Sequence, residues 1–178
     1  MSRSVTQSIH VTLEARPQPI QVPLRDRWLA YGAGESIQAP DGRRSRVLIR
    51  DTWNTDVIDE LKPEPDDIEL YKHGYSAFHA TELDAVLKGL GVKYLIVTGC
   101  TTSVCVESTI QEAHSRDYYC ILLEDCTAEP IGQSAAAYIG VRGGGTGRRS
   151  NYEASLLLLQ TIFGWVSNSE LAIRAPCH

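Results

Sequence analysis

Tyr94-Leu95-Ile96-Val97-Thr98-Gly99-Cys100-Thr101-Thr102-Ser103-Val104-Cys105 is the stretch on which the fold reading turns. Its first four residues form a continuous apolar run of strand length, and Tyr119-Cys120-Ile121-Leu122-Leu123-Glu124-Asp125 repeats the pattern. Runs of this kind suit strands covered on both faces, as in a parallel sheet. Between them Val106, Ile110 and Ala113 recur at helical spacing, and residues 154–163 read as a further long apolar helix. Upstream, Leu83, Val86, Leu87 and Leu90 fall on one helical face. Thr81 suits the N-cap of that helix, Asp84 its first turn, and Gly91 the left-handed position after its end. Two earlier runs, Val47-Leu48-Ile49 and Ile68-Glu69-Leu70-Tyr71, read as strands. Alternating strands and helices predict an α/β fold with a mostly parallel sheet and right-handed crossovers.

The 178 residues suit one domain, expected to span 1–178. Hydrophobic residues make up 43% and charged residues 22%, enough apolar material for a real core. A net charge of -5 supplies no basic field for a phosphate backbone, so nucleic acid is not the expected partner; a small molecule is. No apolar run approaches the roughly 18 residues of a membrane span, and Met1-Ser2-Arg3-Ser4-Val5-Thr6-Gln7 lacks the apolar core of a signal peptide. The five cysteines, at 100, 105, 120, 126 and 177, are odd in number and read as reduced thiols in a cytoplasmic setting. The glycine-rich basic stretch at about 138–149 lacks the Gly-Lys-Ser/Thr ending of a phosphate loop and reads as a surface insertion.

Ligands of parallel α/β sheets bind beyond the carboxyl ends of strands. Two reactive side chains fall there. Cys105 stands at or near a helix N-terminus, where the helix dipole and unpaired N–H groups favour a thiolate. Lys72 ends the Ile68-Glu69-Leu70-Tyr71 strand, and its ammonium can stabilise such a thiolate. Spacing alone leaves open the plainer reading of a buried inert cysteine and a lysine reaching solvent.

The surrounding motifs are more specific. Thr98-Gly99, then Thr102-Ser103-Val104-Cys105-Val106-Glu107-Ser108-Thr109, and Tyr71-Lys72-His73-Gly74-Tyr75-Ser76-Ala77-Phe78 together resemble the isochorismatase-like cysteine hydrolases. Thr52-Trp53-Asn54-Thr55-Asp56, Asp59-Glu60-Leu61-Lys62-Pro63 and Phe163-Gly164-Trp165-Val166-Ser167 are most similar to the ureidoacrylate amidohydrolase branch. The resemblance implies a three-layer α/β/α fold and hydrolysis of a C–N bond in a small amide or ureido substrate, with no metal or other cofactor. It makes Cys105 the nucleophile of a thioester mechanism and Lys72 its partner. It also makes the backbone N–H groups of Thr101 and Cys105 the oxyanion hole, and Tyr75 and Trp53 substrate contacts. A non-proline cis peptide is implied at Cys100–Thr101, and a homo-oligomer is expected.

The sequence departs from the family at one place. The family's first strand ends in the aspartate that serves as general base, and no counterpart is found. Two readings stay open. Either Ile9-His10-Val11-Thr12-Leu13-Glu14-Ala15-Arg16-Pro17 fills that slot with Glu14 as a substitute base, or the chain is a shortened form lacking the first strand. Glu14 is followed directly by Arg16-Pro17, as at a strand end elsewhere in the fold, which favours the shortened form. The corresponding rivals to catalysis are a small-molecule-binding or assembly subunit and an inactive fragment. His114, nine positions after Cys105, falls on the opposite helix face and reads as a packing or surface residue. His73 and His79 lack a metal-ligand pattern. Cys100, Cys120 and Cys126 read as buried structural cysteines.

Overall fold

The computed structural model describes residues 8–13, 32–129 and 150–175. Glu14, the glycine-rich stretch at 138–149 and Cys177 lie outside them. The chain divides into two compact units, one of the described residues up to Gly74 with His79–Thr81, the other of Tyr75–Phe78 and the described residues from Glu82 onward.

In the first unit, β1 (Ile9–Leu13) pairs in parallel with β4 (Ile68–Lys72), from Ile9 opposite Ile68 to Leu13 opposite Lys72. The start of the pair is fastened twice: Ile68 N–H donates to Ser8 O at 3.1 Å, and His10 Nε2 lies 3.1 Å from Asp67 Oδ2. A bond from Glu64 N–H and the His10 contact hold the Asp67 carboxyl below its usual range. β2 (Ser36–Gln38) and β3 (Arg44–Arg46) form an antiparallel hairpin. The strand expected over Val47-Leu48-Ile49 is instead a turn, with Leu48 at φ 58°. Side chains override the apolar pattern there. Leu48 N–H donates to Asn54 Oδ1 at 2.8 Å, and the Thr52 and Thr55 hydroxyls both donate to Ile49 O. Trp53, Asn54 and Thr55 follow that turn.

In the second unit, β5 (Tyr94–Cys100), β6 (Tyr119–Ala128) and β7 (Trp165–Ser167) form a parallel sheet in that order. Helix α1 (Leu83–Gly89) precedes β5, α2 (Glu107–His114) joins β5 to β6, and α3 (Asn151–Leu158) runs through a π turn (Leu159–Phe163) into β7; α4 (Ser169–Arg174) follows. The core of this unit contains Leu87, Val106, Ile110, Ala113, Cys120, Leu122 and Leu159, all nearly inaccessible to solvent. The helical spacings read from the sequence supply most of that set. Thr81, however, is not the N-cap of α1: Glu82 occupies that position, with no side-chain capping bond. Asp84 does sit in the first turn, where it accepts from Lys88 Nζ at 2.7 Å and from Tyr118 Oη at 3.0 Å, and Gly91 takes φ 68° beyond the helix.

Burial of the strands on both faces does not hold among the described residues. Tyr94 is 65% and Ile96 59% exposed, and the Tyr94, Tyr119 and Trp165 rings form an exposed ladder with centroids 5.0 and 6.1 Å apart. The alternating neighbours Leu95 and Val97 are less accessible, and Cys120 and Leu122 are buried.

Helix α3 begins with a reciprocal cap: the Ser150 side chain accepts from Glu153 N–H at 3.2 Å, and the Glu153 carboxylate accepts from Ser150 N–H at 2.9 Å. Ser150→Ala is expected to cost about 1 kcal/mol, read as a melting temperature lower by roughly 2–4 °C. One residue of α3 also ties this helix to α2. Ser155 Oγ donates to Glu107 Oε2 at 2.5 Å, while Gln111 Nε2 donates to Glu107 Oε1 at 2.9 Å.

Candidate active site

The carboxyl end of β5 is shaped by four successive departures from regular structure. The register with β6 shifts between Val97 and Gly99, so that Gly99 faces Thr127 and Cys100 faces Ala128. Gly99 has φ 112°, a conformation costly for any residue with a Cβ. The Cys100–Thr101 peptide is cis, at the bond where the resemblance puts it. The chain then turns through a π turn (Thr102–Val106) that continues directly as α2, so Cys105 lies in the opening turn of a continuous helix. Thr101 O accepts from Val104 N–H at 3.1 Å and from Val106 N–H at 3.2 Å, the residues on either side of Cys105.

Three hydroxyls and one carboxylate hold this turn. Thr127 Oγ1 donates to Gly99 O at 2.8 Å, so the 2.8 Å contact between Thr127 and the fully buried Thr102 is made with the Thr102 proton. Ser103 N–H donates to Glu129 Oε2 at 2.7 Å. Thr109 Oγ1 donates to Cys105 O at 2.6 Å and accepts from Ala77 N–H at 3.0 Å, which straps the Tyr75–Phe78 segment to the cysteine-bearing helix. Phe78 completes the strap by packing its ring 5.8 Å from that of Tyr118.

Of the residues expected at the site, Thr101, Cys105 and Tyr75 belong to the second unit, with Cys105 and Tyr75 both half-buried. Lys72 and Trp53 belong to the first. Lys72 is the last residue of β4 and only 4% exposed, with Nζ donating to Gly74 O at 3.0 Å. A lysine this buried is not the solvent-reaching residue that its place at a strand end would ordinarily suggest. Trp53 has the Arg43 guanidinium 5.6 Å from its ring centre, and its Nε1–H is buried without a hydrogen-bond partner among the described residues.

A family model described as "Isochorismatase domain" matches residues 22–170. The chain belongs to that family. The isochorismatase-family relatives include ureidoacrylate amidohydrolases RutB from Caulobacter segnis, 32% identical over 83% of this chain and 55% of the relative, and from Methylorubrum extorquens, 34% identical over 82% and 52%. The chain thus spans about half the length of the curated relatives it matches. Among solved structures, a cysteine hydrolase from Pseudomonas syringae pv. phaseolicola is 28% identical with a TM-score of 0.71, covering 94% of this chain and 70% of that one. An isochorismatase-like hydrolase from Alkaliphilus metalliredigens is 25% identical with a TM-score of 0.67, covering 94% and 72%. The three-layer α/β/α class expected from the sequence is the fold these neighbours share with the chain.

The other histidines and cysteines singled out in this isochorismatase-family chain sit as follows. His114 is exposed and meets Phe163 edge-on at 5.6 Å, as a surface packing residue does. His73 and His79 join no group of three metal-ligating side chains among the described residues. Cys120 is buried as expected, but Cys126 is only half-buried and Cys100 is exposed, because the register shift and the Gly99 conformation carry Cys100 past the covered part of the sheet. Burial pushes the Cys120 thiol up to about 11. Iodoacetamide at pH 8 is therefore expected to label Cys100 and Cys105 in the folded chain and Cys120 only after denaturation, which peptide mass spectrometry reads directly.

The sequence reading missed Thr109, Thr127 and Glu129. Thr127 and Glu129 lie two apart beyond the apolar run of β6, the spacing that puts side chains on one face of an extended strand, and that alternation was the available signal.

Proposed function

We propose that this chain hydrolyses a C–N bond of a small amide or ureido compound through a thioester on Cys105. The observation that carries the reading is the end of β5, where a π turn that continues directly as α2 puts Cys105 in the opening turn of a helix. The thiolate sulfur attacks the substrate carbonyl carbon, a C–S bond forms, and the carbonyl electron pair moves onto oxygen. The backbone N–H groups of Thr101 and Cys105 stabilise that oxyanion. Val104 N–H and Val106 N–H both donate to Thr101 O, which supports a turn held firmly on either side of Cys105.

Collapse of the intermediate breaks the C–N bond, and the proton lost by the thiol leaves with the amine. Water then cleaves the thioester, returning the thiol and releasing the acid. Lys72 is the partner that stabilises the thiolate, a role carried from the motif match and supported by its burial. Tyr75 and Trp53 are the substrate contacts; the buried Trp53 Nε1–H, without a partner among the described residues, supports a donor role toward a substrate oxygen. The reaction as proposed uses no metal or other cofactor. The working form is a cytoplasmic homo-oligomer, association being favoured by the exposed Tyr94, Ile96, Tyr119 and Trp165 side chains.

The test is a panel of small ureido acids and primary amides, ureidoacrylate among them, followed by amine or ammonia release. Turnover of at least one member supports the proposal. Stabilisation by panel members with no turnover of any of them contradicts it and assigns a binding role instead.

A further inference from the structure

We infer that Glu129 is a positioning residue for Cys105, its carboxylate being the template that fixes the turn from which the thiol projects. The inference rests on the reading of Cys105 as the nucleophile. Glu129 lies just past the end of β6 and is only 5% exposed. A carboxylate so buried is tolerated only where hydrogen bonds replace its water, and Ser103 N–H supplies one at 2.7 Å, within the short range of charge-assisted bonds. Ser103 is two residues before Cys105, and its N–H is one of the opening-turn donors that a helix cannot satisfy itself.

The contact is half of a two-point clasp. Two residues earlier, Thr127 holds Gly99 O and the Thr102 hydroxyl, so Thr127 and Glu129 grip the chain on both sides of the cis Cys100–Thr101 bond. Thr101 and Cys105, whose N–H groups are the proposed oxyanion donors, lie within or beside the gripped segment. Their direction is therefore set by a strand end far away in sequence. Removing the acceptor frees Ser103 and lets the turn relax, and displacements near 1 Å at a reacting centre cost up to about a hundredfold in rate. What the turn needs from Glu129 is an acceptor oxygen at that reach, which glutamine also offers and alanine does not.

The experiment compares the 178-residue parent with Glu129→Ala and Glu129→Gln by the rate of Cys105 alkylation with iodoacetamide, alongside thermal melts. Glu129→Ala is expected to slow alkylation about tenfold while still melting cooperatively, and Glu129→Gln to stay within about threefold of the parent. On any substrate the parent turns over, the alanine loss should appear in kcat rather than KM. Parent-like alkylation in Glu129→Ala overturns the inference, as does a Glu129→Gln loss as deep as that of alanine. Should Glu129→Ala fail to melt cooperatively, Glu129→Gln decides alone: a parent-like rate supports the acceptor role, and a tenfold loss overturns it. Retained turnover in Cys105→Ala would remove the nucleophile reading and leave the alkylation comparison untouched.

Discussion

Cys105→Ala is expected to lower turnover by at least about 1,000-fold on any substrate the parent hydrolyses, with the fold intact. The size follows from the role. A nucleophile makes and breaks the bonds that divide the reaction into two easier steps, and what survives its removal is only binding and the oxyanion donors. The fold should survive because Cys105 is half-buried rather than in the core, and its turn is held through backbone groups and through Thr102, Ser103 and Thr109, not through the thiol. Cys105→Ser should fall nearly as far, since an alkoxide is much harder to form near neutral pH than a thiolate. The check is steady-state turnover of both variants beside a thermal melt; a cooperative melt at the parent temperature with more than a tenth of parental turnover would contradict the assignment.

Gly164→Ala is expected to be the most destabilising single-methyl addition at any of the described glycines, by about 3 kcal/mol, with a melting temperature lower by roughly 6–10 °C. Gly164 follows the π turn after α3 and enters β7 with an extended backbone, φ 175°, so the cost is spatial rather than conformational. A Cβ there would sit 2.4 Å from Cys120 O, 3.2 Å from Cys120 C and 3.3 Å from Cys120 Cβ. None of those atoms can swing aside. Cys120 is buried in β6, paired opposite Leu95 of β5, and the next residue, Ile121, pairs with Trp165 of β7. The methyl must push β7 off the sheet or shift β6. Gly89→Ala is the control of opposite sign: in α1, with open space around its Cβ position, it should gain about 0.5–1 kcal/mol. Equal melting temperatures for the two variants would contradict this packing account.

What was legible in the sequence were the features written in local pattern. The apolar runs gave β4, β5 and β6, and the spacing of Val106, Ile110 and Ala113 gave α2, because each pattern records one covered face. The motif match located the cis bond at Cys100–Thr101. What failed depended on competing partners. Val47-Leu48-Ile49 has strand composition, yet hydrogen bonds from Thr52 and Thr55 and to Asn54 bend it into a turn. Thr81 has the better capping side chain, but the helix begins one residue later, after Glu82. Tyr94 and Ile96 carry the hydrophobicity of a strand covered on both faces and are exposed among the described residues. The grip of Thr127 and Glu129 on the Cys105 turn joins residues about 25 apart: their alternation puts both side chains on one strand face but does not say which segment they meet.

In the proposed reaction, substrate carbon becomes bonded to the Cys105 sulfur. Acid quenching during steady-state turnover of a panel substrate, followed by peptide mass spectrometry, tests it most directly. The peptide containing Cys105 should gain the mass of the substrate's acyl portion, the adduct should disappear with hydroxylamine, and Cys105→Ala should show none. Turnover without an adduct on Cys105 under conditions that slow deacylation, or an equal adduct on another cysteine, would contradict it.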